Sequence, residues 1–197
     1  MISRALDPNK YRELYRLFKR AENRMKDVER LRNEAIIPSL NELRYVAYHC
    51  INSIVAAGEK ESDSEIALAE KHSRLAIYDS MEAGISYLLL KLKNFKQDYK
   101  AITIGDIVPD YLKKMKRANE IRDLIKNTDS QNRENYYVKS LKSYKELSDI
   151  IDELEMATEE LNKKLKTMRI QFWGIGVVGI VIGIIGIIVM IVTLCKK

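Results

Sequence analysis

The residues best suited to chemistry are Arg44 and His49, in the run Asn41-Glu42-Leu43-Arg44-Tyr45-Val46-Ala47-Tyr48-His49. An imidazole titrates near neutral pH and can take or give a proton. A guanidinium is a permanent cation whose planar fork of donors suits a phosphate. Together they suit proton transfer at a phosphodiester whose transition state gathers negative charge. Glu42 and Tyr45 are close enough in sequence to support them. On a regular helix, at about 100° per residue, Arg44 and His49 lie roughly 140° apart. Arg44 then joins a stripe with Leu40, Ala47 and Ile51, and His49 falls opposite with Glu42 and Tyr45. One regular helix does not aim both at one phosphate. Either the helix is distorted near Pro38, or a second chain completes the site, or Arg44 is structural and, if buried, needs a carboxylate partner.

Other chemistry finds little support. Cys50 lies in a helical run and Cys195 at the far end of an apolar one, so they are not expected to pair. Cys50 beside His49 is not expected to act as a nucleophile, since helix neighbours point about 100° apart. His72 reads as a surface histidine. The chain holds no CxxC, no HExxH, no GxxxxGK[ST] and no GxGxxG after a strand, so no metal or cofactor is expected.

The spacing from Arg44 to His49 resembles the Arg-x4–6-His signature of HEPN domains. These are small helical bundles of prokaryotic toxins, RNA-guided defence nucleases and abortive-infection proteins. The resemblance implies a metal-independent ribonuclease site in which two copies pair their motifs. It implies that His49 assists proton transfer as a 2′-hydroxyl attacks the phosphate, and that Arg44 balances charge on the transition state. Family members often carry a small polar residue directly after the arginine, where this chain has Tyr45, and often carry the motif late in the domain rather than on a second helix.

The frame that must position these residues reads as all-α, an elongated antiparallel helical bundle whose last long helix continues into a single transmembrane helix. Prolines are few (Pro8, Pro38 and Pro109) and alternating strand patterns are absent. Asp7-Pro8 starts a first helix running to about Glu34. Tyr11, Phe18 and Met25 repeat along it every seven residues, interleaved with Leu14, Ala21, Val28 and Ala35. Ser39 caps a second helix to about Ala57, and Gly58 with Glu59–Ser64 makes a turn. A third helix runs from about Ser64 to Tyr99, with Ile66, Ala69, Ala76, Ile77, Met81, Leu88, Leu92 and Phe95 on its apolar face. Gly84 marks a close crossing or a bend. A fourth helix covers Asp110–Asn127, with Leu112, Met115, Ile121, Leu124 and Ile125 inward, and Thr128–Asn132 is a polar turn.

From about Arg133 nothing in the sequence stops a helix. One seam runs through Tyr137, Tyr144, Ile151, Thr158, Leu165 and Phe172, the other through Ser140, Leu147, Leu154, Leu161 and Met168. A single helix of about 90 Å is expected. Phe172–Leu194 carries no ionisable residue and is long enough to cross a hydrocarbon core of roughly 30 Å. Trp173 suits the headgroup level, and Gly176, Gly179, Gly183 and Gly186 offer a face for close helix approach, with Gly179 and Gly183 in GxxxG spacing. The organisation expected is a cytosolic helical bundle over 1–132, a heptad-bearing stalk over 133–171, a transmembrane helix over 172–194 and a short basic tail over 195–197.

No signal peptide is expected, since Met1–Asp7 lacks an apolar run and Pro8–Arg32 is heavily charged. The layout is that of a single-pass cell-membrane protein with its N-terminal domain in the cytoplasm. The net charge of +6 is spread over mixed helices and does not choose between anionic lipid and RNA. The expected partners are the lipid bilayer, further copies of the chain, and RNA or an RNA-guided defence complex. The expected function is a membrane-anchored, oligomeric HEPN-like effector of antiviral defence or toxin action that senses or cleaves RNA. The alternatives are a non-enzymatic membrane effector that forms a pore and a plain tail-anchored helical adaptor.

Overall fold

A forty-residue helix, α3 (Glu59–Asp98), is the spine on which the helices before it and the two after it pack. At 1.5 Å per residue it is about 60 Å long. The computed structural model describes the backbone of residues 8–126 and 133–195, with side chains except at 133–138, 172–181 and 188–195. Within this set the secondary structure is entirely helical: α1 (Pro8–Arg32), α2 (Ile37–Val55), α3, a 3-10 turn (Ile104–Asp106), α4 (Tyr111–Lys126), α5 (Arg133–Met156) and α6 (Thr158–Cys195).

Two cores share the spine. In the first, Leu14, Ala21, Met25 and Val28 of α1 and Leu43 and Val46 of α2 close over Ile66, Ala69, Ala76, Ile77 and Met81 of α3. In the second, Ile85, Leu88 and Leu92 meet Met115, Ala118 and Ile121 of α4, Leu147, Ile151 and Leu154 of α5, and Leu161 of α6. The α1 seam from Tyr11 to Val28 and, among the described residues, the stalk seam as far as Leu165 are therefore spent inside the chain. Leu147, Leu154 and Leu161 are buried, whereas Met168 and Ile170 are exposed, so the second seam leaves the core beyond Leu165.

Small residues set the approach of α2 to α3. Ser39 is fully buried and its hydroxyl donates to the Ala76 carbonyl at 2.9 Å, with Ser80 Oγ 2.8 Å away. Ser39 is thus not the expected cap. The helix starts two residues earlier, with Pro38 in its first turn, where a missing N–H costs nothing. α1 ends at Asn33, which adopts the left-handed conformation (φ 55°) that closes many helices. The Glu29 carboxylate accepts the Ile36 N–H at 3.0 Å and ties the connection back.

Other expectations are also corrected. α3 begins at Glu59 rather than Ser64, since Gly58 supplies the extended residue before it. Leu112 is 82% exposed, and half-buried Tyr111 packs on the second core in its place. The stalk is two helices, α5 and α6, separated by Ala157. Bonds from Ala157 N–H to the Glu153 carbonyl (3.3 Å) and from Leu161 N–H to the Ala157 carbonyl (3.0 Å) hold the pitch across that residue. The expected turn at Thr128–Asn132 lies outside the described residues.

The transmembrane continuation is corrected as well: among the described residues no helix is long and apolar enough to cross a membrane. α6 carries Glu159, Glu160, Lys163, Lys164, Lys166 and Arg169 in its first turns. Of its apolar part only 182–187 have described side chains, against the roughly 20 residues a span requires. Trp173, Gly176 and Gly179 lie outside the described residues. Gly183 and Gly186 have nothing within 4 Å of where a Cβ would stand, so among the described residues no helix packs on them.

Candidate functional site

The sequence predisposes α2 and α3 to a crossed arrangement. Glu42 and His49 stand seven residues apart on α2, and Glu65 and His72 seven apart on α3. Seven residues are two turns, so each pair lies along one face of its helix. The helices run antiparallel, and each histidine meets the carboxylate of the other helix. His49 Nδ1 is 2.7 Å from Glu65 Oε2, and His72 Nδ1 is 2.6 Å from Glu42 Oε2. An ionised carboxylate only accepts, so each Nδ1 is the donor and each Nε2 is left as the second functional nitrogen.

The two imidazoles stack on each other, with centroids 5.1 Å apart and planes 13° from parallel. Tyr45 stacks on the outer side chain of the pair, 5.1 Å from His72, and Tyr48 meets His49 edge-on at 5.3 Å. The Arg44 guanidinium lies over the Tyr45 ring at 5.2 Å. Arg44, Tyr45, His72 and His49 therefore follow one another in contact. Both histidine side chains are largely covered, at 14% and 21% exposure, while Tyr45 remains 43% exposed.

The hydrogen bond from His49 holds the Glu65 carboxyl below the usual carboxylate range. Partial desolvation opposes this, and a hydrogen bond from Asn52 adds to it. Burial pushes the Cys50 thiol up, away from the thiolate a nucleophile needs. Among the described residues no group of three or more His, Cys, Asp or Glu is arranged to hold a metal ion.

Arg44 and His49 do not meet directly: a tyrosine and a second histidine stand between them. Glu42 supports His72 rather than His49, and Tyr45 forms part of the stack. Sequence reasoning missed His72 and Glu65. The signal was present as the repeated Glu-x6-His spacing on successive helices, but it acquires meaning only once the two helices are known to be antiparallel and in register. The expected stripe is also turned around. Leu40, Arg44, Ala47 and Ile51 face outward, and Glu42 and His49 face the α3 side.

Comparison with family models, curated proteins and solved structures returns no match.

Proposed function

We propose that the chain is a HEPN-like effector that cleaves RNA without a metal, in the defence or toxin setting that the resemblance implies, and that the stacked His49–His72 pair is its reaction centre. The observation that carries this reading is one geometry: two adjacent imidazoles, each oriented through Nδ1 by a carboxylate, each with Nε2 left for proton transfer. Transesterification of RNA needs such a pair. One neutral imidazole takes the proton of the 2′-hydroxyl as its oxygen attacks phosphorus. One protonated imidazole gives a proton to the departing 5′-oxygen. The products are a 2′,3′-cyclic phosphate and a free 5′-hydroxyl, with no net proton change. Glu42 and Glu65 act as positioning residues that fix tautomer and ring orientation. Arg44, spread over Tyr45, supplies the cation for a neighbouring backbone phosphate, and the exposed Tyr45 face offers a platform for a base.

The test is cleavage of single-stranded RNA by the full chain in excess EDTA, with the new ends identified. His49→Ala and His72→Ala are each expected to lower the rate by about 10²–10⁴-fold. Glu42→Gln and Glu65→Gln should lower it less and alter the pH profile. That profile should be bell-shaped, since one imidazole must be neutral and the other protonated. Equal activity in the folded histidine variants, or no cleavage of any RNA by the wild-type chain, overturns the reading.

A further inference from the structure

Between α3 and α4 a groove of about 360 Å³ opens over the second core. Small-molecule sites span roughly 300–1,000 Å³, so the groove is of a size to hold one. Its floor is hydrocarbon: Leu89 and Leu92 from α3, Met115 and Ala118 from α4. Leu92 is 5% and Ala118 2% exposed, so core packing fixes the floor. Its rim is cationic, with exposed Lys93 and Lys96 on α3 and exposed Arg122 on α4. No carboxylate lines it. Lys91, further round α3, is held by Glu155, whereas Lys93 and Lys96 make no ion pair among the described residues. Arg122 meets only its exposed neighbour Asp123, at 3.3 Å, a pair that solvent screens.

We propose that this groove binds a single-chain anionic amphiphile, an alkyl tail ending in a carboxylate or a phosphate. The tail lies along the leucines and Met115, and the head sits among Lys93, Lys96 and Arg122. Other ligands use only half of the lining. A nucleic-acid backbone would meet the cations and leave the hydrocarbon floor wet. A neutral lipid would bury its tail and gain nothing from three cations. An extended peptide brings backbone N–H and C=O groups that need partners. Both lining helices have spent their own backbone groups internally, and Asn119 is the one uncharged polar side chain in the lining. An anionic amphiphile satisfies both parts: each buried methylene is favourable, and ammonium and guanidinium donors make charge-assisted hydrogen bonds to the head. The groove lies between α3 and α4, whereas the histidine pair lies between α2 and α3, so the proposal does not depend on RNA cleavage.

Photolabelling of the full chain by a diazirine analogue of dodecanoate, kept below its micelle concentration, decides it once the labelled peptides are mapped. Label is expected on the peptides carrying Leu89–Lys96 and Met115–Arg122. Unlabelled dodecanoate and dodecyl phosphate should both compete, and the stronger of the two identifies the preferred head. Acetate and inorganic phosphate, which lack the tail, and dodecanol, which lacks the charge, should each compete at least about tenfold more weakly. Lys93→Glu combined with Lys96→Glu changes only exposed side chains. It should cut labelling about tenfold and leave the helical circular dichroism unchanged. Equal competition by dodecanol, labelling that survives the charge reversal, label confined to the apolar run 172–194, or no label at all overturns the proposal.

Discussion

At the scale of single residues, Gly84 shows most sharply what the packing demands. A Cβ there would stand 2.7 Å from Tyr144 Cε2 and 3.1 Å from Val28 Cγ2. The Tyr144 ring is half-buried and packs against both cores, so it has little room to retreat. Gly84→Ala gains about 1 kcal/mol of helix propensity but forces an overpacked contact costing about 1–3 kcal/mol. We expect a net loss of about 1 kcal/mol and a fall in Tm of roughly 2–4 °C by circular dichroism. Tyr144→Ala in the same chain should relieve part of the contact term, visible as non-additivity in a double-mutant cycle. Gly58→Ala, with nothing within 4 Å of the new Cβ, should show no such coupling. Gly84 was legible in the sequence as a close crossing or a bend. Which of the two holds, and which ring lies over it, depended on α5 being placed against α3.

At the scale of elements, α5 and the start of α6 are held by a short set of buried leucines and by ion pairs to neighbouring helices. Arg117 Nε is 2.7 Å from Glu146 Oε2, and Lys114 Nζ is 2.8 Å from Glu153 Oε2, joining α4 to α5. Such partly exposed pairs contribute little, so the leucines carry the docking. Leu154 is 1% exposed, and Leu154→Ala should cost about 2–5 kcal/mol in urea denaturation. Met168→Ala, beyond the end of the packed seam, should change stability by less than about 0.5 kcal/mol. A seven-residue repeat runs through both positions, so periodicity alone treats them alike. Only the end of α3 and the turn after it decide where the partner surface stops.

At the scale of the molecule, acid should loosen the first core before the second. Glu65 is held below its ordinary value of 4.5 chiefly by the hydrogen bond from His49, and Glu22 chiefly by those from Lys26 and Lys19. A carboxyl whose folded value is depressed contributes stability that is present above the unfolded value. That stability is lost as pH falls through the folded one. Glu65 links α2 to α3 and Glu22 sits on α1, so both effects fall on the same half. Urea midpoints followed downward from pH 6 should therefore fall less steeply in Glu65→Gln than in the wild-type chain. Equal slopes would show that the His49–Glu65 pair carries none of the acid dependence.

The sequence by itself determined the helices and most of their inward faces. A heptad or 3.6-residue stripe is a local property, and burying it is the dominant gain on folding. It also singled out Arg44 and His49. The tertiary structure decided which stripes are used and what the histidines touch. The Leu40, Ala47 and Ile51 stripe faces outward because Ser39, Leu43, Val46 and Ser53 allow α2 to lie closer to α3 on the other side. His49 meets Glu65 and His72 because two helices cross in one antiparallel register. That register is set by small buried side chains distributed over the whole length of the contact, and no single segment encodes it.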